Sequence, residues 1–330
     1  MIALLLAAAA LIVQAAPAPA CAICHPAIAR KHSESHHAKA LARIGDSAIA
    51  VRLSRDSVSE RNGAAFEYRP ASGTVTVTAS IAGESATGNL EWLFGAGAQG
   101  QTPVGRFANG QYFEHRLSYY PPKDRLARTF GHPPGPSTDP AAALGLIQAN
   151  DTVFRCFDCH AAGVRPGPNL ESIQPGVTCE RCHGTGELHR LKPPARILNP
   201  GKLNAKESVT FCAECHRAPA QSPEAPEITD PVSVRFAPIG LTASRCFQLS
   251  AGRKLVCTTC HDPHENARPR SDTAFYAERC RACHPAAQRP KSACPRQAQS
   301  GCVGCHMPQV ELTPFLRFTD HRIRRPNSSE

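Results

Sequence analysis

The most informative feature of this sequence is a five-residue pattern, Cys-x-x-Cys-His, that occurs seven times and uses 14 of the 16 cysteines. This spacing is typical of covalent haem c attachment, in which both thiols bond to the porphyrin edge. The histidine that follows is placed to bind the haem iron from one face, as the proximal ligand. The sequence therefore predicts seven covalent haem c groups. Their residues are Cys21, Cys24 and His25; Cys156, Cys159 and His160; Cys179, Cys182 and His183; Cys212, Cys215 and His216; Cys257, Cys260 and His261; Cys280, Cys283 and His284; and Cys302, Cys305 and His306.

Cysteine pairs of this spacing also occur in zinc sites and in disulfide scaffolds, so both alternatives were weighed. Zinc sites commonly use two pairs for one metal and do not require a histidine after the second cysteine. Here every one of the seven pairs has that histidine. The repetition of the whole pattern, more than any single copy, favours haem.

The second axial ligand of each iron must come from elsewhere in the chain. Methionine is unsuited as the general ligand, because only Met1 and Met307 are present. Met307 also follows His306 directly and cannot swing to the opposite face of that haem. We therefore expect mainly bis-histidine coordination, which gives low reduction potentials. The alternative for any single spare histidine is an ordinary surface side chain. The eight spare histidines are His32, His36, His37, His115, His132, His189, His264 and His321.

Some of these ligands should serve neighbouring haems. His264 is three residues after His261, so both would lie on one side of the same iron. His37 is 12 residues after His25, which corresponds to about 18 Å if the segment is helical. Ligands that cross between sites would fix the spacing of the irons.

Several stretches resemble exported multihaem cytochromes c related to the tetrahaem carrier that takes electrons from hydroxylamine oxidoreductase. The resemblance implies distal ligand roles for six of the spare histidines. It leaves His32 and His36 ambiguous and one haem without an assigned partner. The six implied ligands are His37, His115, His132, His189, His264 and His321. The similar stretches are Cys21–His25, Ser35–Ala38, Glu114–Arg116 with Ser118–Tyr120, Phe130–Pro133, Cys179–Gly184 with His189, Asn199–Leu203, Cys257–Glu265, Cys302–Pro308 and Asp320–His321.

Two classes of function are compatible with this pattern. The first is an electron carrier in which electrons hop between haems, with redox proteins as partners and no catalytic residue. The alternative is an oxidoreductase of the multihaem nitrite reductase or hydroxylamine oxidoreductase type, which needs one haem with an open face. Nitrite reductases typically mark that haem with Lys in place of the motif His, whereas all seven motifs here carry His. The five tyrosines show no sign of the haem cross-link found in hydroxylamine oxidoreductases. The pattern favours the carrier.

The spacing of the motifs predicts the organisation of the chain. After the first motif come 130 residues, and the later gaps are 18, 28, 40, 18 and 17 residues. Within the long gap, Thr74–Thr78 and Gln111–Tyr120 have the period-two or β-rich character of strands. We expect a mainly α-helical and irregular multihaem cytochrome c with a small inserted β-sheet, and a helix over Ala38–Ile49. The expected segments are a signal peptide at 1–15, a first haem segment at 16–63, a β-rich insert at 64–135 and a six-haem array at 136–330.

Composition and the N-terminus indicate an exported protein. Residues 2–13 are apolar but too short to span a bilayer, which needs about 20 residues. Haem c is attached outside the cytoplasm, so the periplasm or the outer face of the cytoplasmic membrane is expected. The formal charge of +10 does not indicate nucleic-acid binding. Seven haems with ionised propionates would bring it to about +3 when oxidised and about −4 when reduced.

Cys246 and Cys294 are the two cysteines outside the seven motifs. In an oxidising compartment the only remaining pair is expected to form a disulfide, and both cysteines lie in family-like stretches. The alternative is two unpaired thiols buried as small hydrophobic side chains.

Overall fold

The computed structural model describes most of the chain between the first motif and the C-terminal tail. The described residues are 20–53, 58–59, 63–163, 170, 173–193, 195–217, 229–250, 255–284 and 301–325.

Helices are short throughout, as expected for a chain with 30 prolines and 23 glycines. The 3₁₀ turns of the described chain lie at Ala20–Ile23, Ile44–Asp46, Pro121–Lys123, Pro200–Lys202, Pro231–Arg235 and Cys257–Thr259. The α-helices are α1 (Pro26–Glu34), α2 (Ala48–Leu53), α3 (Pro140–Leu144), α4 (Asn150–His160), α5 (Cys179–His183), α6 (Glu187–Leu191), α7 (Ala205–His216), α8 (Ala237–Ala243), α9 (Arg245–Leu249), α10 (Thr273–Arg281) and α11 (Cys302–His306).

One large antiparallel sheet dominates the first half of the described chain. Its strand order is β10-β7-β6-β5-β4-β3-β2, and β1 pairs with β5 beside this path. Three two-stranded sheets pair β8 with β9, β11 with β12, and β13 with β14. The strands are β1 (Leu41–Arg43), β2 (Val58–Ser59), β3 (Ala65–Ala71), β4 (Thr74–Ile81), β5 (Glu84–Phe94), β6 (Thr102–Arg106), β7 (Tyr112–His115), β8 (Leu117–Tyr120), β9 (Arg125–Arg128), β10 (Gly145–Gln148), β11 (Ala161–Ala162), β12 (Gln174–Pro175), β13 (Gln309–Thr313) and β14 (Leu316–Thr319).

The sheet forms because alternate side chains of its strands have an apolar core to enter. In β4, Val75 and Val77 are fully buried while the intervening threonines remain partly exposed. Helices α2 and α3 cover this apolar face. Leu144 of α3 and Phe66 of β3 belong to the same buried cluster. The prediction of a strand at Thr74–Thr78 is confirmed.

The sheet is larger than the predicted insert. β1 and β10 lie outside residues 64–135, and they pair with β5 and β7. The run Gln111–Tyr120 is also divided, because β7 belongs to the large sheet whereas β8 turns away to pair with β9. These pairings join residues far apart in sequence, which local patterns do not encode.

The predicted helix over Ala38–Ile49 is wrong. This segment contains β1, a 3₁₀ turn at Ile44–Asp46 and only the start of α2. Leu41 is paired with Phe94 and is buried, and Ile44 is fully buried in the sheet core. Burial against the sheet therefore overrides the local helical preference of the alanine-rich sequence.

A second apolar cluster connects the sheet to the second motif. Trp92 of β5 packs edge-on against Phe157 of α4 at 5.2 Å between ring centroids. Leu41 and Val153 belong to the same buried cluster. The sheet therefore fixes the position of α4.

The rest of the described chain consists of short helices, irregular segments and the small sheets β11–β12 and β13–β14, so the predicted combination of short helices, irregular segments and an inserted sheet is confirmed. Among the described helices, none has the length and apolar character needed to cross a membrane.

Candidate haem sites

Each cysteine–histidine motif lies in or next to a helix or a helical turn. The second and fourth motifs end α4 and α7, and the third and seventh are α5 and α11 themselves. In helical geometry, positions i, i+3 and i+4 lie on one face. Both thiols and the following imidazole of a motif can therefore meet one cofactor from the same side.

Four of the seven motif histidines face a second histidine ring. In each pair the partner comes from outside the motifs, and all four partners were predicted as distal ligands. The distances between ring centroids are 6.4 Å for His25 and His189, 6.1 Å for His183 and His264, 6.0 Å for His37 and His216, and 6.3 Å for His261 and His321.

These separations fit an iron atom between two imidazoles. A metal–nitrogen bond of about 2 Å and a nitrogen-to-centroid distance of about 1.1 Å on each side give roughly 6.2 Å in total. Direct contact between two stacked aromatic rings permits shorter separations, from about 4.5 Å. The spacing therefore fits a shared metal better than close stacking.

Hydrogen bonds orient many of these rings. In six of the histidines from the motifs and the predicted distal set, Nδ1 lies next to a backbone carbonyl oxygen. A carbonyl oxygen only accepts hydrogen bonds, so Nδ1 carries the proton and donates it. Nε2 is then left with the lone pair that a metal needs, as in other metal-binding histidines. The pairs of ring and carbonyl are His37 with Pro263 (2.9 Å), His160 with Ala40 (3.0 Å), His183 with Leu198 (2.8 Å), His189 with Ala195 (2.9 Å), His306 with Arg324 (2.9 Å) and His321 with Thr319 (2.9 Å).

Burial lowers the pKa of several of these histidines below the ordinary value. Desolvation is the main cause for His160, His216, His261 and His321. A lowered pKa keeps the imidazole neutral at neutral pH, and the neutral form is the one that binds iron.

Two buried polar atoms without hydrogen-bond partners also fit haem. Among the described residues they are Trp92 Nε1 and Thr178 Oγ1. Trp92 packs against Phe157 inside the second motif, and Thr178 directly precedes Cys179. Buried polar atoms almost always have partners in the complete protein, and haem propionates are acceptors for both groups.

His115 is placed differently from the other predicted ligands. It is fully buried in the sheet core, where Nδ1 lies 2.6 Å from the Leu144 carbonyl oxygen and Nε2 lies 2.8 Å from the Tyr68 hydroxyl. Both ring nitrogens are therefore engaged. The ligand role that the family resemblance implied for His115 stays a prediction, and an iron at Nε2 would have to replace the Tyr68 hydroxyl there.

His132 is also directed toward a protein group. Its side chain is 1% exposed, and its Nε2 lies 3.3 Å from Glu114 Oε2. Glu114 and Arg217 act electrostatically on Cys156, so this pair lies near the second motif. Within the described residues, no second histidine ring stands at the bis-histidine spacing from His160.

The two ambiguous histidines lie close to the paired ones. Burial and the nearby His37 and His264 lower the pKa of His32. The backbone nitrogen of His36 donates to Asn266 Oδ1 at 2.7 Å. Neither observation assigns them to an iron.

Cysteines of different motifs lie next to each other. Thiol contacts link the first motif to the third, the second to the fourth, the fourth to the fifth and the sixth to the seventh. Cys182 is close enough to Cys212 and Cys215 to shift its pKa, and Cys280 is similarly close to Cys260. The contacting thiols are Cys21 with Cys179, Cys159 with Cys215, Cys212 with Cys257, and Cys280 with Cys302.

Arg181 strengthens the link among three motifs. Its guanidinium lies 3.3 Å from Asp158 Oδ2 of the second motif and 4.0 Å from Cys215 Sγ of the fourth. Cys159 Sγ is also 3.9 Å from the Glu214 carbonyl oxygen. The second, third and fourth motifs are therefore packed together.

Cys246 lies near Cys283. Burial is the main cause that raises the pKa of Cys246, and the charge of Cys283 raises it further. Cys294 lies outside the described residues, so the disulfide between Cys246 and Cys294 stays a prediction. Thiol labelling of unreduced, denatured protein will leave both cysteines unlabelled if the bond exists. Labelling of both would refute it.

Comparisons with known proteins agree with this geometry. The family model of cytochrome c554 and c-prime matches residues 139–184, which contain the second and third motifs. No curated protein sequence matches the chain significantly.

Among solved structures, the crystal structure of the outer cell wall cytochrome OcwA is similar. The match covers 92% of this chain and 78% of that chain, with a TM-score of 0.52 and 14% sequence identity. At this identity the likeness establishes the fold. The family match therefore marks residues 139–184 as similar to that family, and the structural match shows the fold.

Proposed function

We propose that the protein is an exported electron carrier that moves electrons through seven covalent haem c groups, most of them with two histidine ligands. The observation that carries this proposal is the set of four histidine pairs at 6.0 to 6.4 Å, each joining a motif histidine to one from another segment. An iron held by two imidazoles has no open face for a substrate. It is therefore suited to changing its oxidation state and little else.

The thiol contacts support a continuous route for electrons. Electron transfer slows steeply with the gap between cofactors, so haems on adjacent motifs are the ones that exchange electrons. The contacts give the order first, third, fourth, fifth, sixth and seventh, with the second motif joined to the fourth. We propose that the haems follow this order in space, which differs from their order in sequence.

The proposed ligands divide into two groups. The motif cysteines would form the thioether bonds, and the motif histidines would be the proximal ligands. His37, His189, His264 and His321 would be distal ligands to the fourth, first, third and fifth haems. His132 is kept as a ligand near the second haem. Residues 1–15 would be the export signal, and redox proteins outside the cytoplasm would be the partners.

The ferric absorption and electron paramagnetic resonance spectra test this function. Low-spin signals from at least four haems, with reversible reduction of all haems, are the expected result. Predominantly high-spin iron would contradict bis-histidine coordination.

A second candidate function is an oxidoreductase with one open haem at the second motif. The observation that favours it is the group formed by His132, Glu114 and Arg217 near Cys156, with no second histidine ring at the iron-ligand spacing from His160 among the described residues. An acid–base pair and a cation are what substrate turnover at an open haem requires. A single high-spin haem in the wild-type protein that binds carbon monoxide would support this candidate.

A further inference from the structure

Exposed apolar side chains are concentrated around the first motif. Nine large hydrophobic residues are recorded as exposed in the described chain, and five of them lie in the first motif, α1 or the segment that carries His189. The contact between His25 and His189 holds these segments together. Grouped apolar side chains at a surface commonly mark an interaction site. The five and their exposures are Ile23 (83%), Ile28 (46%), Leu188 (62%), Leu191 (71%) and Leu198 (48%).

Two of these side chains point away from the first haem site. Leu191 is two positions after His189 in α6, and two positions along a helix differ in direction by about 200°. Ile23 lies in the 3₁₀ turn between Cys21 and Cys24, where each residue turns the direction by about 120°. A cofactor held by the two thiols and two imidazoles therefore leaves both side chains at the surface, Ile23 on the proximal side of the haem and Leu191 on the distal side.

Basic residues surround the same apolar group. In α1 and residues 184–193 and 195–199 there are five lysines and arginines against two glutamates, a net charge of +3. A ferric haem with ionised propionates reduces this to about +2. Lys31 is paired with Glu265. The other four, Arg30, Arg190, Lys192 and Arg196, are exposed and form no ion pair with another described residue.

The first motif also lies at one end of the route of thiol contacts. Among the described cysteines, Cys21 contacts Cys179 of the third motif, whereas the fourth motif contacts several others. A haem at an end of this route, as the first and the seventh are, is a place where electrons can enter or leave the protein.

We propose that the distal side of the first haem, called the first-haem face and formed by Leu188 and Leu191 with Arg190, Lys192 and Arg196, docks a redox protein whose cofactor is surrounded by acidic residues. The inference rests on the proposed electron-carrier function. It adds the place where electrons enter or leave the protein and the charge of the partner. Opposite charges steer such partners together, and the apolar centre lets the cofactors approach without water between them.

The test uses the holoprotein and two reductants in stopped-flow measurements at low ionic strength. Reduced flavodoxin serves as the acidic protein probe, and reduced lumiflavin serves as a small probe that needs no docking face. The variant Arg190→Glu with Lys192→Glu reverses the charge of the face. The matched control, Lys123→Glu with Arg128→Glu, makes the same charge change at two exposed residues beside β9.

The proposal predicts that the Arg190/Lys192 variant reacts with flavodoxin about tenfold more slowly than wild type, and that high salt removes the difference. The control variant should change less than twofold, and all variants should react equally with lumiflavin. Leu191→Ser should slow the flavodoxin reaction, whereas Ile147→Ser, at a side chain 60% exposed on β10, should not. Haem content and the ferric spectrum show that each variant is correctly assembled.

The outcomes separate the docking face from the function itself. If wild-type haems accept no electrons from lumiflavin, the electron-carrier function fails. If they do, but charge reversal at the first-haem face has no more effect than at the control, the docking proposal fails. Sedimentation with anionic phosphatidylserine vesicles that the Arg190/Lys192 variant loses, with flavodoxin rates unchanged, would assign the face to a membrane surface and overturn the proposal.

Discussion

At the scale of single residues, the histidines separate into rings that face another ring and rings that face protein groups. His264 illustrates the first kind. Its ring is nearly parallel to that of His183, with an interplanar angle of 6°, and its Nδ1 lies 2.9 Å from Asp262 Oδ1. Asp262 therefore orients the His264 ring, which follows the fifth motif in sequence, toward the third motif.

We predict that His264→Ala opens one face of the third haem. Carbon monoxide added to the reduced variant should then bind one haem, with a high-spin signal in the ferric state, because the iron loses its sixth ligand. His36→Ala serves as the control, since His36 belongs to none of the ring pairs. A His264→Ala spectrum identical to wild type would return His264 to an ordinary surface role.

His115 illustrates the second kind and gives a prediction about pH. Burial is the main reason that its pKa falls from 6.5 to about 4. Neutral His115 thus contributes its full stability above about pH 6.5, and this contribution is lost as the pH falls toward 4, because the unfolded chain takes up the proton first. The difference corresponds to roughly 3 kcal/mol.

The variant His115→Gln should isolate this effect, because glutamine retains a donor and an acceptor but does not titrate. We expect it to be less stable than wild type at pH 7 and to lose less stability between pH 6.5 and pH 4. Thermal melts across that range measure both. An equal pH dependence in the two proteins would show that His115 does not control acid stability.

At the scale of elements, a glycine holds two ligand-bearing segments together. Gly176 follows β12 with φ of +85°, and its amide donates to the His160 carbonyl at 3.1 Å. A Cβ there would lie 2.1 Å from the Ala38 carbonyl oxygen, and the next residue, Val177, donates to the His37 carbonyl. Only glycine permits this approach between the segments of His37 and His160.

Gly176→Ala should therefore lower the free energy of unfolding by about 3 kcal/mol more than Gly131→Ala. Gly131 is the matched control, since its φ is +91° but a Cβ would have no atom within 4 Å. Thermal or denaturant unfolding of both variants measures the difference. Equal destabilisation would show that backbone strain alone, without the clash, accounts for the effect.

The elements also show what sequence alone could predict. The period-two pattern of β4 is a local signal, and the strand at Thr74–Thr78 follows from it. The pairing of β1 with β5 depends on Phe94, 53 residues beyond Leu41, so the alanine-rich segment looked helical. The surroundings of His115 could not be predicted in the same way, because a matching tripeptide does not reveal that Tyr68 and Leu144 lie at its two ring nitrogens.

At the scale of the whole molecule, the large sheet and the later motifs have different roles. The large sheet packs Trp92 and Phe94 against α4 and so supports the second motif. The later motifs are linked mainly by histidines that cross from one segment to another. The core formed by side chains is small, because haems would fill much of the interior. The aromatic content of 6% agrees with this.

Seven covalent haems in this chain can be counted by intact-mass spectrometry of the purified protein. We expect a mass that exceeds that of the processed polypeptide by seven haems, with haem stain retained on denaturing gels after acid–acetone extraction. A mass excess of four haems or fewer would contradict it.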